Sequence, residues 1–253
     1  MSNRLFTANL HRRQLFRGAA AGAFAVGAGA LLGPLFSEVA QAYPWGGTLQ
    51  EGSSGAAVKE LQVRVAGWAA ASPSHTYIAV DGQFGPATTG AVKRFQSAYG
   101  LTANGVVAAS TQAKLDALEQ SDGSTAHFNW SEFTDRISGT FAGGKVSTAA
   151  AKENARRCMY KLEALRLKIG NVPITVNSGF RSIQHNSDVG GASDSMHLYG
   201  TAADLDASVG NLTLYRKAET CGFSGLETHN EDHQHVDSRA DLGRAWWWQD
   251  GTL

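Results

Sequence analysis

The spacing of apolar residues is helical in the first part of this chain and mixes helical with strand-like runs in the second, and that contrast limits the fold more than any other feature. Up to residue 118, apolar positions recur every three or four residues, which is one face of a helix. Val58, Leu61, Val65 and Trp68 follow that spacing, as do Val92, Phe95 and Tyr99. Beyond residue 171, short runs with strand character take over. Val172-Pro-Ile-Thr-Val-Asn177, Ala202-Ala-Asp-Leu-Asp206 and His233-Gln-His-Val-Asp237 read as strands. A helical unit followed by an α+β unit with a small antiparallel sheet accommodates both patterns.

Turn residues set the boundaries. Pro86 can open a second helix after Asp81-Gly-Gln-Phe-Gly85, because its missing N–H is not needed there. Gly100 ends that helix, and Gly105 marks another turn. Ser110 or Thr111 can cap a third helix carrying Leu115 and Leu118. A three-helix bundle over residues 48–118 is therefore expected. The polar stretch 119–126 reads as a linker. The second domain, 127–253, is long enough to bury its own core. Within it, residues 149–169 place Cys158, Leu162, Leu165 and Ile169 on one helical face. A further helix runs from Leu212 to Cys221 and stops at Gly222.

The first 42 residues do not fit this scheme. Arg12, Arg13 and Arg17 lead into an Ala- and Gly-rich stretch with no charge until Glu38, followed by Ala40-Gln41-Ala42. A basic start, an uncharged middle and a small-x-small end describe an export signal. The adjacent arginines resemble a twin-arginine signal, cleaved after Ala42. The run 18–37 is long enough to span a bilayer, but Gly, Ala and Pro34 make it weakly hydrophobic. Cleavage would leave a secreted protein that works outside the cytoplasmic membrane, without stable membrane association.

Twenty-two basic residues balance 22 acidic ones, so no nucleic-acid partner is implied. A monomer is expected. Two cysteines, Cys158 and Cys221, are too few for a disulfide scaffold or a four-cysteine zinc ribbon. An exported chain can oxidise them, but sequence does not place them within bridging range. A metal site would have to rest mostly on His, Asp and Glu. Five of the eight histidines lie between His185 and His235. Imidazole with carboxylate suits Zn²⁺, and three protein ligands plus an open position make a catalytic site. His197 and Asp204 flank a bend permitted by Gly200. In His233-Gln-His235, strand alternation puts both imidazoles on one face. His185 reads as a solvated loop residue. Asp206 and Asp237 are equally readable as groups that orient a histidine ligand or as surface carboxylates. Trp246-Trp-Trp248 reads as packing against the domain, with stacking on sugars as the other use.

Several motifs also carry resemblances. Val58-Lys-Glu-Leu-Gln62, Asp81-Gly-Gln-Phe-Gly85, Ala91-Val-Lys-Arg-Phe-Gln96, Gly100-Leu101, Asn104-Gly-Val106 and Thr111-x-x-x-Leu115 resemble the peptidoglycan-binding domain of cell-wall hydrolases. Asn104 stands where that family usually has Asp. Ser178-Gly-Phe-Arg-Ser182, Val189-Gly-Gly-Ala-Ser193, Ser195-x-His-x-x-Gly-x-Ala-x-Asp204 and Asp232-His-Gln-His-Val236 resemble the zinc D-alanyl-D-alanine carboxypeptidase family.

That second resemblance implies one Zn²⁺ ion held by His197, Asp204 and His235. It implies that Arg181 binds substrate and stabilises the developing oxyanion, with Ser195 also on the substrate. It places the general base at Asp232, three positions before the last histidine ligand. Strand parity favours His233 instead, and His229 and Glu231 are nearby. The resemblance implies hydrolysis of D-amino-acid peptide bonds in peptidoglycan stem peptides or cross-links. The competing readings are a wall-binding protein with a vestigial zinc site and a zinc N-acetylmuramyl-L-alanine amidase.

Overall fold

A computed structural model describes residues 42–229 and 232–249. The expected signal, except for Ala42, lies outside them, as do Glu231 and the side chain of His229. Among the described residues no helix is long and apolar enough to cross a membrane.

Three helices form the first unit: α1 (Ala56–Arg64), α2 (Pro86–Ala98) and α3 (Ala109–Asp116). After Val65 the chain tightens into a 3₁₀ turn, Ala66–Trp68. Two buried glutamines pin the connecting turns. Gln62 donates to Asp81 Oδ1 at 2.7 Å and accepts from Gly82 N at 2.8 Å. Gln96 does the same for Asn104 and Gly105, at 3.2 and 2.9 Å. The expected cap of α3 is a correction. Ala108 occupies the N-cap position, with no side-chain bond. Thr111 lies inside the helix, and its buried hydroxyl accepts from Gln96 Nε2 at 3.0 Å.

The second unit contains α4 (Trp130–Phe133), α5 (Thr148–Lys168), α6 (Ile183–Asp188) and α7 (Asn211–Ala218). Ser147 caps α5 by accepting from Ala150 N at 3.2 Å. The strands are β1 (Thr175–Ser178), β2 (Ala202–Asp206), β3 (Gly225–His229), β4 (His233–Asp237) and β5 (Trp247–Trp248). They form one sheet in the order β1-β2-β4-β3-β5. Its first four strands are antiparallel as expected, but β5 pairs with β3 in parallel, so the sheet is mixed. Cys158 on α5 and Cys221 after α7 are buried free thiols. Burial pushes the Cys158 thiol up to about 12.

The polar stretch between the units is built into the structure. Glu119 bridges to Thr125, and Ser124 and Thr125 are fully buried. The two units share a continuous hydrophobic core. Where α5 passes the 3₁₀ turn, a Cβ on Gly67 would lie 2.5 Å from the Ala164 Cβ, so the contact admits only glycine. Beside it, the buried Arg64 pairs with Glu60 at 2.5 Å, with Asp116 at 3.0 Å and with Glu119. Arg156 of α5 reaches Glu60 and Glu119 from the other side.

Candidate metal centre

Three segments bring three ligand atoms together. His197 lies in the 3₁₀ turn Met196–Tyr199, which ends at Gly200 with φ +73°. A Cβ on Gly200 would lie 2.4 Å from the Ala151 carbonyl, so both the backbone angle and the space require glycine. The bend delivers the chain into β2, where Asp204 stands opposite His235 of β4. Asp204 Oδ1 is 2.9 Å from His235 Nδ1 and 3.2 Å from His197 Nε2. The two imidazole nitrogens are 3.3 Å apart.

The outward nitrogens are held as well. His197 Nδ1 is 2.6 Å from the Gly179 carbonyl. His235 Nε2 is 3.2 Å from Asp237 Oδ2. Asp237 is fully buried and accepts from Arg239 through N at 2.9 Å, Nε at 3.0 Å and Nη2 at 2.6 Å. Gly225 of β3 makes room for this carboxylate, since a Cβ there would meet it at 2.2 Å. Asp237 is therefore an orienting group, whereas Asp206 is exposed at the end of β2.

The electrostatics are those of ligands facing inward. Burial raises Asp204, but His197 and His235 outweigh it and hold the carboxyl far below its ordinary range. Burial pushes His197 down. Burial also acts against the His235 imidazolium, but its bonds to Asp204 and Asp237 prevail and push it up to about 9. Two imidazoles and one carboxylate, with ligand atoms within 4.8 Å of one another, fit a tetrahedral zinc site with one open position. A carbonyl and a carboxylate fix the two imidazole orientations, as metal-bound histidines require.

The centre opens into a cleft of about 650 Å³. Arg181, Ser195 and His233 all line it. Arg181 donates through Nε to Ser178 Oγ at 2.8 Å and through Nη2 to Asp204 Oδ2 at 2.5 Å. The loop that carries it is anchored to the fully buried Asp135, which accepts from Ser182 N at 2.8 Å. His185 shares that anchor, with Nδ1 2.9 Å from Asp135 Oδ2. This corrects its reading as a solvated residue: its partner lies 50 positions away in sequence. His233 shares the cleft face with His235, and its Nε2 lies 3.6 Å from Asp204 Oδ1.

Asp232 is not brought into the cleft. The β3–β4 ladder extends to the pair His229 and His233, which leaves Asp232 exposed in the turn beyond it. A carboxylate that sequence reasoning missed does line the cleft: Glu227 of β3, opposite His235. Its signal was the strand Gly225–His229, whose mixed residues show no clean alternation. The three tryptophans divide between two environments. Trp246 stacks on His75 with ring centres 4.9 Å apart, and Trp248 meets the same ring edge-on at 4.5 Å. Trp247 lines the cleft, 42% exposed.

The chain is similar to known proteins over both of its units. The peptidase M15 family matches residues 126–237, and a peptidoglycan binding domain matches residues 54–115. The zinc D-Ala-D-Ala carboxypeptidase of Streptomyces albus G is 49% identical over 210 residues, covering 81% of this chain and 80% of that protein. An N-acetylmuramoyl-L-alanine amidase, CwlL, of Bacillus licheniformis is 51% identical over 39 residues, 15% of this chain and 11% of its own. An uncharacterised protein of Kitasatospora aureofaciens is 42% identical over 77 residues, 30% of this chain and 61% of that protein.

Proposed function

The chain belongs to the peptidase M15 family, that of the zinc D-Ala-D-Ala carboxypeptidase, and from that premise we propose an exported zinc peptidase of the bacterial cell wall. It hydrolyses a D-amino-acid peptide bond in peptidoglycan stem peptides or cross-links. The observation that carries this reading is the convergence of His197 Nε2, Asp204 Oδ1 and His235 Nδ1 at the floor of an open cleft. An amidase cutting between sugar and peptide is disfavoured, because the amidase relative matches only 39 residues of this chain whereas the peptidase family matches residues 126–237. A vestigial site is disfavoured by the presence of all three ligands.

His197, Asp204 and His235 hold the ion. Zinc held there would supply a Lewis acid for the scissile carbonyl and would lower the pKa of the attacking water. Arg181, pinned by Ser178 and Asp204, stabilises the charge that develops on the carbonyl oxygen. Ser195 contributes a polar contact to the substrate backbone, and His233 adds a donor beside the reacting carbonyl. The water's proton passes to a carboxylate and returns to the leaving amine; the family resemblance favours Asp232 by its spacing from His235, and in this structure Asp232 stands in the turn outside the cleft. Glu227 is a second, cleft-facing carboxylate. The variants D232N and E227Q separate the two, because the base is the one whose loss lowers kcat. The helical unit holds the enzyme on the wall, which raises the local concentration of its substrate. Export follows the twin-arginine route, and the mature chain acts as a monomer.

Mass spectrometry of cross-linked muropeptides incubated with residues 43–253 tests this reading. Parallel samples carry a chelator, or the chelator followed by excess zinc. Zinc-dependent loss of one alanine identifies a carboxypeptidase, and splitting of dimers identifies an endopeptidase. Release of intact stem peptides from sugar, or no product from zinc-loaded protein, overturns the proposal.

A further inference from the structure

We infer that Arg239, seated on Trp247, is the subsite for a free C-terminal carboxylate, which makes the enzyme a carboxypeptidase in preference to an endopeptidase. This rests on the peptidase reading above. Three guanidinium groups line the cleft: Arg181, Arg239 and Arg244. Arg181 is committed to Asp204, the metal ligand, at 2.5 Å. Arg244 binds both oxygens of the exposed Asp194 and donates to Tyr199 Oη at 2.8 Å, so a carboxylate already occupies its fork. Arg239 differs from both. Its Nε and Nη2 bind the buried Asp237, while Nη1 has no hydrogen-bond acceptor among the described residues. A planar guanidinium with one edge engaged can still offer the other to an anion.

The surroundings suit a terminal D-alanine. The Arg239 guanidinium carbon lies 4.9 Å from the centre of the Trp247 ring. That stacking holds the group flat and supplies an apolar surface for a methyl group. Ala245 and Met196 extend the apolar lining. In the zinc-loaded cleft, Arg181 offsets Asp204, Arg239 offsets Asp237 and Arg244 offsets Asp194. With these pairs offset, the two charges of the ion would leave the cleft attractive to an anion. Arg239 lines the same cleft as the three metal ligands. A free carboxylate on the leaving residue lies only about one residue length, ~3.8 Å, beyond the scissile carbonyl. A cross-link places a longer chain there in its stead.

The test pairs a tripeptide ending in D-Ala-D-Ala with its C-terminal amide. Binding of each to zinc-free protein is measured by calorimetry, and hydrolysis of each by zinc-loaded protein is measured as kcat and KM. Wild type is expected to prefer the acid by about 10- to 100-fold in both assays, the scale of a charge-assisted bond. R239Q is expected to bring the acid-to-amide ratio to within about threefold, chiefly through KM, while R239K recovers part of the preference. Equal wild-type affinity for acid and amide overturns the inference without any variant. So does R239Q protein that keeps the wild-type ratio, or that loses zinc and kcat together, since Arg239 would then serve only Asp237. If zinc-loaded wild type cleaves neither peptide, the peptidase reading itself falls. A binding preference for the acid that R239Q abolishes would still stand.

Discussion

Two places in this molecule bury several ionisable groups together, and they do so in opposite ways. At the junction of the units, Arg64 and Arg156 interleave with Glu60, Asp116 and Glu119. Each buried charge there has a partner of the other sign within the chain. At the floor of the cleft, Asp204 and two imidazoles turn their lone pairs toward one point. Only a proton or a cation can occupy that point. The first cluster is complete once the chain folds, whereas the second is a receptor for something the chain does not contain. Burial of charge alone therefore does not mark a site; convergence of like donors does.

The comparison breaks most visibly at the receptor. Asp204→Ala is expected to abolish zinc retention and hydrolysis, an effect larger than the roughly 10- to 100-fold typical of residues behind the ligands. Metal content by mass spectrometry alongside muropeptide turnover is the check. Retained stoichiometric zinc would remove Asp204 from the ligand set.

At the junction the expected loss is stability. Arg64 is 1% exposed, and Arg64→Met leaves three carboxylates short of a partner. Removing one member of a buried ion pair destabilises by about 3–5 kcal/mol. For a domain of this size that lowers Tm by roughly 2–4 °C per kcal/mol, while folded molecules bind zinc as before. Calorimetric scans decide it: a Tm within 2 °C of wild type would mean that water reaches these carboxylates.

A smaller effect should come from the orienting groups. Asp237→Asn keeps the shape but loses the charge that His235 and Arg239 share. Zinc affinity is expected to fall by about 10- to 100-fold, read by competition with a chelator of known affinity. No change would show that the cross-strand pairing of β2 and β4 orients His235 unaided.

The parts legible in sequence were those whose partners are close along the chain. His197 and Asp204 are seven positions apart across a glycine bend, and strand alternation alone puts His233 and His235 on one face. The helices of the first unit were readable because each presents a regular apolar stripe. What sequence did not disclose depends on long-range pairing. His185 is anchored by Asp135, and nothing local marks the two as neighbours. β5 is two residues long and exists because Trp247 and Trp248 find β3. Glu227 enters the cleft only through the register of β3 on β4, and that same register carries Asp232 out into the turn. The α3 cap was misread because Thr111 already serves Gln96. A buried hydroxyl with a partner of its own is unavailable as a cap.

The finest test of the contrast is a proton count. A cluster complete in itself has no proton to exchange for a metal, whereas the receptor does. Without metal, the hydrogen bonds to Asp204 and Asp237 outweigh burial and push His235 up to about 9. Burial keeps His197 below its ordinary value, so it is neutral at pH 7.5. A raised pKa means the metal-free site holds a proton on His235 throughout the neutral range. Zinc must displace that proton from Nδ1, because only the deprotonated nitrogen is a ligand. Between about pH 6.5 and 8.5, zinc affinity should therefore rise about tenfold per pH unit from this group, then level off above pH 9. Titration calorimetry at pH 7.5 in buffers of different ionisation enthalpy should find about one proton released per zinc. In Asp237→Asn the release should shrink, because one of the two carboxylates that hold the proton is gone. Zero release in wild type would mean that His235 is already neutral and waiting, and the cleft would then resemble the junction more than this contrast allows.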